Sequence, residues 1–277
     1  MYDLYHLLSG ALAVDGSAVK KPVRATYVPT SEGLKLARVQ SFSRPIFLED
    51  GFESCKTSKV SIKGRKADGE GAEDENVDRS LRRAKRAAFD LILCNPDLDA
   101  FCTLTYSPEW VSDRTSYDEC YKPLGVWLSN RVQRKDLKYV LVPERHVKGG
   151  IHFHMLCNSC AIELERARSA KDGRHLSVHG RPLYNITDWR HGHSTAELVD
   201  CGQVDREKVS KYIFKYMGKQ GGQKIGGRFF LHGGELAKPV EILGDTPEEF
   251  IDPSVAAKHV TECEPVKGVT YKEWSFI

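Results

Sequence analysis

Two histidines that could bind a metal ion lie two residues apart in an apolar segment. His152 and His154 belong to the β-rich run Ile151–Cys157, and because successive side chains of a strand point to opposite faces, both imidazoles share one face. A hairpin turn centred on Lys148 would place Glu144, on the preceding strand, opposite His152. Two imidazoles and one carboxylate leave coordination positions free for a phosphate oxygen. The sequence therefore predicts a Mg²⁺ or Mn²⁺ site at these three residues.

Two other groups of potential metal ligands compete with this assignment. His191 and His193 have the same spacing but lie in a polar stretch, which favours a loop. Four residues fall within the spacing range of a two-Cys two-His zinc site: Cys157, Cys160, His175 and His179. The fourteen residues between the pairs lack the aromatic and leucine positions of a zinc-finger core. Structural zinc stays open as an alternative, and metal analysis of protein purified without added ions would test it.

A lysine-rich segment carries two tyrosines at helical spacing. Asp205 as the N-cap and Gly218 at the end predict a helix over 205–217. Tyr212 and Tyr216 lie one turn apart on one face of that helix, with Cβ atoms about 5 to 6 Å apart, so both could reach one phosphate. A phenol with a pKa of about 10 is scarcely ionised at neutral pH. A nucleophilic tyrosine therefore needs a nearby cation or a metal-polarised phosphate.

Basic side chains that could contact phosphate cluster in two places. The tyrosine face also carries Lys208, Lys215 and Lys219. We expect Lys215, as a catalytic group, and Lys219 to hold or neutralise phosphate. Helical spacing predicts another helix over 77–93, whose polar face carries four arginines: Arg79, Arg82, Arg83 and Arg86. This face is either an ordinary solvated surface or a contact with the phosphate backbone of a nucleic acid.

The candidate residues need a sheet and a core to position them. Period-two patterns predict two further strands, over 101–106 and 139–142. Apolar residues around Leu124 predict another helix, with Pro123 in its first turn. Residues 159–203 are polar and are expected to be irregular. These elements together indicate an α+β protein.

Composition restricts the class of protein. The 277 residues include 41 basic and 38 acidic side chains, so affinity for nucleic acid must come from how the charges are distributed. Eight scattered cysteines indicate reduced thiols, and no segment resembles a signal peptide or a membrane span, so we expect a cytoplasmic protein. The Gly-rich stretch 64–76 is predicted to be a linker. We expect an N-terminal extension with this linker (1–75), one catalytic domain (76–240) and a C-terminal tail (241–277).

Three segments, in this order, resemble the motifs of HUH endonucleases. They are Phe101-Cys-Thr-Leu-Thr-Tyr106, which is similar to a Thr-rich strand, His152-Phe-His154, and the tyrosine segment Tyr212-Ile-Phe-Lys-Tyr216-Met-Gly-Lys219. The paired tyrosines are most similar to those of replication initiators of small single-stranded DNA phages. Trp189-Arg-His-Gly192 and Gly226-Gly-Arg-Phe-Phe230 also resemble that group.

The resemblance implies a fold and an activity. The fold would be a central antiparallel β-sheet that carries the His-x-His metal site, with helices packed on one side and the tyrosine helix across the site. The activity would be nicking and religation of single-stranded DNA at an origin through a covalent 5′-phosphotyrosine, which starts and ends rolling-circle replication. Tyr212 and Tyr216 would act alternately, and Arg228 would join the DNA-binding residues. The chain has no G-x-x-x-x-G-K-[ST] loop, so a host helicase and a host DNA polymerase in a bacterial cell are expected partners.

Two alternatives stay open at this point. A non-catalytic DNA-binding regulator on the same fold would bind duplex DNA without a metal ion and would not cleave it. A transposase or a plasmid-mobilising relaxase would share the chemistry.

Overall fold

The structure of the protein is a computed structural model. It describes residues 22–30, 33–43, 71–146, 149–178, 180–199, 203–218, 224–266 and 269–276. The chain divides into two compact units, one of Met1–Lys66 with Pro239–Ile277 and one of Ala67–Lys238. Every candidate site residue that the structure describes belongs to the second unit.

Helices and strands both contribute to the described part of the chain. Its helices are α1 (Gly71–Cys94), α2 (Tyr117–Lys135) and α3 (Gln203–Gly218). Its strands are β1 (Val23–Thr30), β2 (Gly33–Phe42), β3 (Ala100–Thr105), β4 (Tyr139–Arg145), β5 (Ile151–Cys157), β6 (Leu164–Arg166), β7 (Ser177–Val178), β8 (Arg181–Ile186), β9 (Ser194–Leu198), β10 (Leu231–Gly233), β11 (Val240–Gly244), β12 (His259–Val266) and β13 (Val269–Ser275). None of these three helices is long and apolar enough to cross a membrane.

The first unit is built on a five-stranded antiparallel sheet in the order β11-β1-β2-β13-β12. Val23, Ala25, Val39 and Phe276 form its buried cluster. Its strands come from the two segments that the sequence predicts to be an N-terminal extension and a C-terminal tail. Residues distant in sequence thus share one small core.

The second unit contains a larger antiparallel sheet in the order β10-β4-β5-β3-β9-β8-β6, with β7 paired to β8. The prediction of a strand over 151–157 is confirmed as β5, and the strand predicted over 139–142 extends to Arg145. The prediction that 159–203 is irregular is wrong, because β6, β7, β8 and β9 lie there. These strands are two to six residues long and β8 is mostly exposed, so they lack the apolar run that reveals a buried strand.

Helices cover both faces of the larger sheet, which corrects the expectation of helices on one side. Ile213 and Met217 of α3, with Ala88 and Ile92 of α1, share a buried cluster with Val142 of β4. On the other face the buried cluster combines α2 with β4 and β5: Leu124, Trp127, Leu128, Leu141, Phe153 and Met155. Both faces of these central strands are apolar, and both therefore need a covering layer.

The helix boundaries differ from the predicted ones at their starts. Gly71–Cys94 extends α1 into the stretch 64–76, so the linker prediction is wrong for 71–76, and 64–70 lie outside the described residues. Acidic residues in that stretch favour a helix start through the helix dipole. The tyrosine helix begins at Gln203, so Asp205 lies in the first turn and is not the N-cap.

Pro123 lies inside α2 and not in its first turn. The helix begins at Tyr117 because the Ser116 side chain caps it by accepting a hydrogen bond from the Glu119 backbone N–H at 3.4 Å. Pro123 therefore falls in the second turn. This cap, with acidic residues at 118 and 119, was the stronger start signal in the sequence.

Candidate active site

Strand register brings the candidate metal ligands onto one face. In the β4–β5 pair, Glu144 lies directly opposite His152 and Val142 lies opposite His154. The His146 backbone N–H donates to the Gly150 carbonyl at 2.8 Å and closes the hairpin. Lys148, on which the predicted turn was centred, lies outside the described residues. The alternation of side chains along β5 then places both imidazoles on the face covered by α1 and α3.

Glu144 and His154 form a buried pair. The Glu144 Oε2 atom lies 2.6 Å from the His154 Nε2 atom, and each residue is only 5% exposed. A buried carboxylate is costly without a partner, and this contact supplies one. Two strong metal ligands thus face each other beneath the helix layer.

Threonines of β3 contact both histidines from the other side of β5. Thr103 lies opposite His154 and Thr105 lies opposite His152 in the antiparallel register. The hydroxyl oxygens lie 3.2 Å and 3.4 Å, respectively, from the Nδ1 atoms of these rings. Sequence reasoning found this strand by its composition and gave its threonines no role. The matching period-two patterns of Thr-x-Thr and His-x-His were the available signal.

His152 is held as a neutral ring in a partly buried position. Burial lowers its pKa below the ordinary value of 6.5, and the nearby His146 and His154 lower it further. The exposed His146 ring stacks on it with centroids 5.2 Å apart. Because the neutral imidazole is the form that binds a cation, the environment favours the ligand state at neutral pH.

The two tyrosines of α3 lie beside the buried pair. The Tyr216 ring stacks on His154 with centroids 3.6 Å apart. Its hydroxyl donates a hydrogen bond to the Tyr212 hydroxyl at 2.7 Å. Burial and then this hydrogen bond raise the pKa of Tyr216. Tyr212 is 46% exposed and packs edge-on against Phe101. One phenol is therefore sheltered over the histidine, and the other is open to solvent.

The donor chemistry of the three predicted ligands fits a divalent cation, but their side chains are not gathered around one point. Within the described ranges, no group of three or more His, Cys, Asp or Glu side chains is arranged as a metal site. Glu144 and His154 touch each other, while His152 contacts Thr105 and His146 instead. Two imidazoles and one carboxylate on one face are nevertheless the donor set that such an ion uses.

The predicted phosphate-binding residues are placed less completely. Arg82, Arg83 and Arg86 are exposed on α1, and Lys215 is exposed on α3. Arg228 is exposed beside the turn at Gly226 and Gly227. The side chains of Arg79 and Lys208, and all of Lys219, lie outside the described residues. Their roles stay predictions.

The arginine face of α1 gives a test of DNA contact. Replacing Arg82 and Arg83 together by glutamine should weaken binding to all single-stranded sequences, because phosphate contacts carry no sequence information. The slope of log affinity against log salt should flatten by about 1.4, at about 0.7 for each lost contact with a single strand. Fluorescence anisotropy at several salt concentrations measures it. The matched control is glutamine at Arg134 and Lys135 of α2, on the opposite face, and equal slopes in both variants would show an ordinary solvated face.

The rival metal residues have structural surroundings. The predicted loop at His191 and His193 is confirmed between β8 and β9. Cys157 is buried, with its Sγ atom 3.8 Å from that of Cys102, while Cys160 and His175 are exposed. His179 lies outside the described residues. The described members of the proposed zinc set therefore have no common site.

His191 packs among aromatic rings and should make stability depend on pH. Its ring lies 4.9 Å from Trp110 and 5.0 Å from Trp189, centroid to centroid, and burial lowers its pKa below 6.5. The unfolded chain then binds more protons than the native state just below that pH, so stability decreases as the pH falls below about 6.5. Thermal unfolding between about pH 7.5 and about pH 5 should show a shallower dependence for His191→Phe. His175→Phe, at an exposed histidine, is the control, and an unaltered dependence in His191→Phe would contradict the assignment.

The geometry described above lies within one segment that is similar to a known family. Residues 99–221 match the family model of the replication-associated protein ORF2. The matched segment is somewhat less than half of the chain and runs from β3 to the end of α3. It therefore includes the threonine strand, the histidine strand and both tyrosines. No curated protein and no solved structure matched the chain. The family match supports a relationship to rolling-circle replication initiators.

Proposed function

We propose that this protein nicks single-stranded DNA at a replication origin by attack of a tyrosine phenol on a phosphodiester. The observation that carries the proposal is the stacking of Tyr216 on His154, with Tyr212 hydrogen-bonded to it, beside the Glu144–His154 pair. A nucleophile, a hydrogen-bond donor and metal ligands then occupy one face of the sheet. The match to the replication-associated family covers all of these residues.

The reaction exchanges one phosphoester for another. The phenolic oxygen forms a bond to phosphorus, and the bond from phosphorus to the 3′ oxygen of the preceding nucleotide breaks. The phenolic proton passes to solvent, and the departing 3′ oxygen takes up a proton to become a free hydroxyl. The 5′ phosphate stays on tyrosine. Because bond energy is roughly conserved, the 3′ hydroxyl can later reverse the reaction and reseal DNA without ATP.

A divalent cation is the cofactor that this donor set fits. Glu144, His152 and His154 would hold Mg²⁺ or Mn²⁺, which when bound supplies electrophilic polarisation of the scissile phosphate. The protein contributes the orientation of the ligands, the neutral state of His152 and the exclusion of water by α1 and α3. Lys215, exposed on the tyrosine helix, would neutralise phosphate charge.

The two tyrosines are placed for successive use. Tyr212 accepts the hydrogen bond from Tyr216 and is the more exposed phenol, so its oxygen is available to an incoming phosphate while a donor stabilises developing negative charge on it. We therefore assign the first cut to Tyr212. Tyr216 would then cut the regenerated origin while the first DNA end stays attached to its neighbour. Elongation between the two cuts would need a host helicase and a host polymerase.

Incubation with a pool of single-stranded oligonucleotides and Mn²⁺ tests this function. We expect a band of protein–DNA adduct on a denaturing gel, lost with a chelator and absent when duplex DNA replaces the pool. Metal-independent binding that prefers duplex DNA, with no adduct under any condition, would overturn the proposal and support a DNA-binding regulator instead.

A further inference from the structure

Each candidate metal-binding histidine is contacted at its Nδ1 atom by a threonine of the neighbouring strand. The two pairs, Thr103 with His154 and Thr105 with His152, repeat at the same register in one antiparallel ladder. One such contact could be incidental packing. Two with the same atoms indicate that β3 orients both rings in one way.

We propose that Thr103 and Thr105 are positioning residues that hold the two imidazoles by Nδ1 and so direct both Nε2 atoms to the cation. A ligating histidine commonly gives its second ring nitrogen to a hydrogen-bond partner, which fixes the tautomer and the ring orientation. In His154 the Nε2 atom already faces the Glu144 carboxylate. This inference rests on the proposed function, because it assigns the cation to the same three ligands.

A hydroxyl is suited to both states of the histidine. When no cation is bound, His154 can donate its Nε2 proton to Glu144, and Nδ1 then accepts a hydrogen bond from the Thr103 hydroxyl. When Nε2 binds a cation, the proton must lie on Nδ1, and the same hydroxyl then accepts it. A hydroxyl both donates and accepts, whereas a carboxylate or a backbone carbonyl only accepts. Threonine therefore permits the change of tautomer without movement of the ring.

The strand context makes these hydroxyls rigid. Threonine is β-branched and has restricted χ1 freedom, and β3 is paired on both sides, to β5 and to β9. Both threonines are half-buried, which limits competition from water. The ring orientation is therefore set before an ion or DNA binds.

The test replaces the hydroxyls without changing side-chain shape. The double variant Thr103→Val/Thr105→Val keeps β-branching and strand propensity, and Thr195→Val on β9, opposite Thr103, is the matched control. Isothermal titration should show Mn²⁺ affinity reduced by about 10- to 100-fold in the double variant and unchanged in the control. Thr103→Ser/Thr105→Ser should restore much of the affinity, because it returns the hydroxyls.

A second readout needs no metal. The ¹⁵N resonances of the His152 and His154 imidazoles report which ring nitrogen carries the proton, and they should shift in the double valine variant of metal-free protein but not in the control. Wild-type Mn²⁺ affinity and unshifted ¹⁵N resonances in the double variant would overturn the inference.

The inference and the proposed function fail separately. If the wild-type protein forms the DNA adduct and the double valine variant binds Mn²⁺ normally, the positioning role is wrong and the nicking function stands. If the threonine variant loses Mn²⁺ affinity but the wild-type protein never forms an adduct, the positioning role stands and the function is wrong.

Discussion

Replacement of both Tyr212 and Tyr216 by phenylalanine should abolish covalent attachment to DNA, while binding of single-stranded DNA persists. The two hydroxyls are the nucleophiles of the proposed reaction, and their removal leaves ring packing on Phe101 and His154 in place. Adduct on a denaturing gel should fall below detection. An adduct that persists in the double variant would show that another residue is the nucleophile.

The single variants should differ from each other. Tyr212→Phe removes the exposed phenol that we assign to the first cut, so it should reduce adduct formation on a short oligonucleotide more than Tyr216→Phe does. Each should retain some activity, because the two phenols lie within hydrogen-bond distance and either one can reach the phosphate. Phe89→Leu, a core change on α1 that contacts Phe214, controls for general disturbance of the helix layer.

Removal of a histidine ligand should have the second large effect. His154→Ala or His152→Ala should reduce DNA cleavage by at least about 100-fold, since the phosphate would lose its electrophile. DNA affinity should be mostly kept, because arginines and lysines supply the counterion-release contribution. Glu144→Gln, which keeps the shape and removes the charge, should weaken the metal dependence.

A control and a second substitution make the histidine result interpretable. His175→Ala, at an exposed position outside the site, should cleave normally. Since His154→Ala leaves the buried Glu144 carboxylate without its partner, His154→Asn should be compared for folding by circular dichroism. Cleavage at the wild-type rate by a folded His152 or His154 variant would refute the metal assignment.

The parts of the site predicted from the sequence are those with strong periodicity. Alternation along Ile151–Cys157 fixed β5 and the common face of its histidines, and the glycines at 149 and 150 fixed a hairpin that places Glu144 opposite His152. The helical spacing of Tyr212 and Tyr216 likewise predicted their proximity, which the structure shows as a direct hydrogen bond. Local patterns sufficed for these features because the contacts are local.

Other features depend on partners distant in sequence. The threonine contacts require β3 to pair with β5, about 50 residues later, and no local pattern states that choice of neighbour. The strands of 159–203 are short and mostly exposed, so hydrophobic periodicity does not reveal them. The five-stranded sheet of the first unit joins strands from both ends of the chain, which made its segments look like unstructured extensions.

The covalent intermediate is tested most directly by mapping the attached nucleotide. Trypsin cuts after Lys211, Lys215 and Lys219, so the two tyrosines fall in separate peptides, Tyr-Ile-Phe-Lys and Tyr-Met-Gly-Lys. After a single turnover with Mn²⁺ and nuclease digestion of the DNA, mass spectrometry should find a nucleotide mainly on the Tyr212 peptide. In the Tyr212→Phe variant it should lie on the Tyr216 peptide. DNA that is cut while both peptides stay unmodified would contradict the phosphotyrosine mechanism.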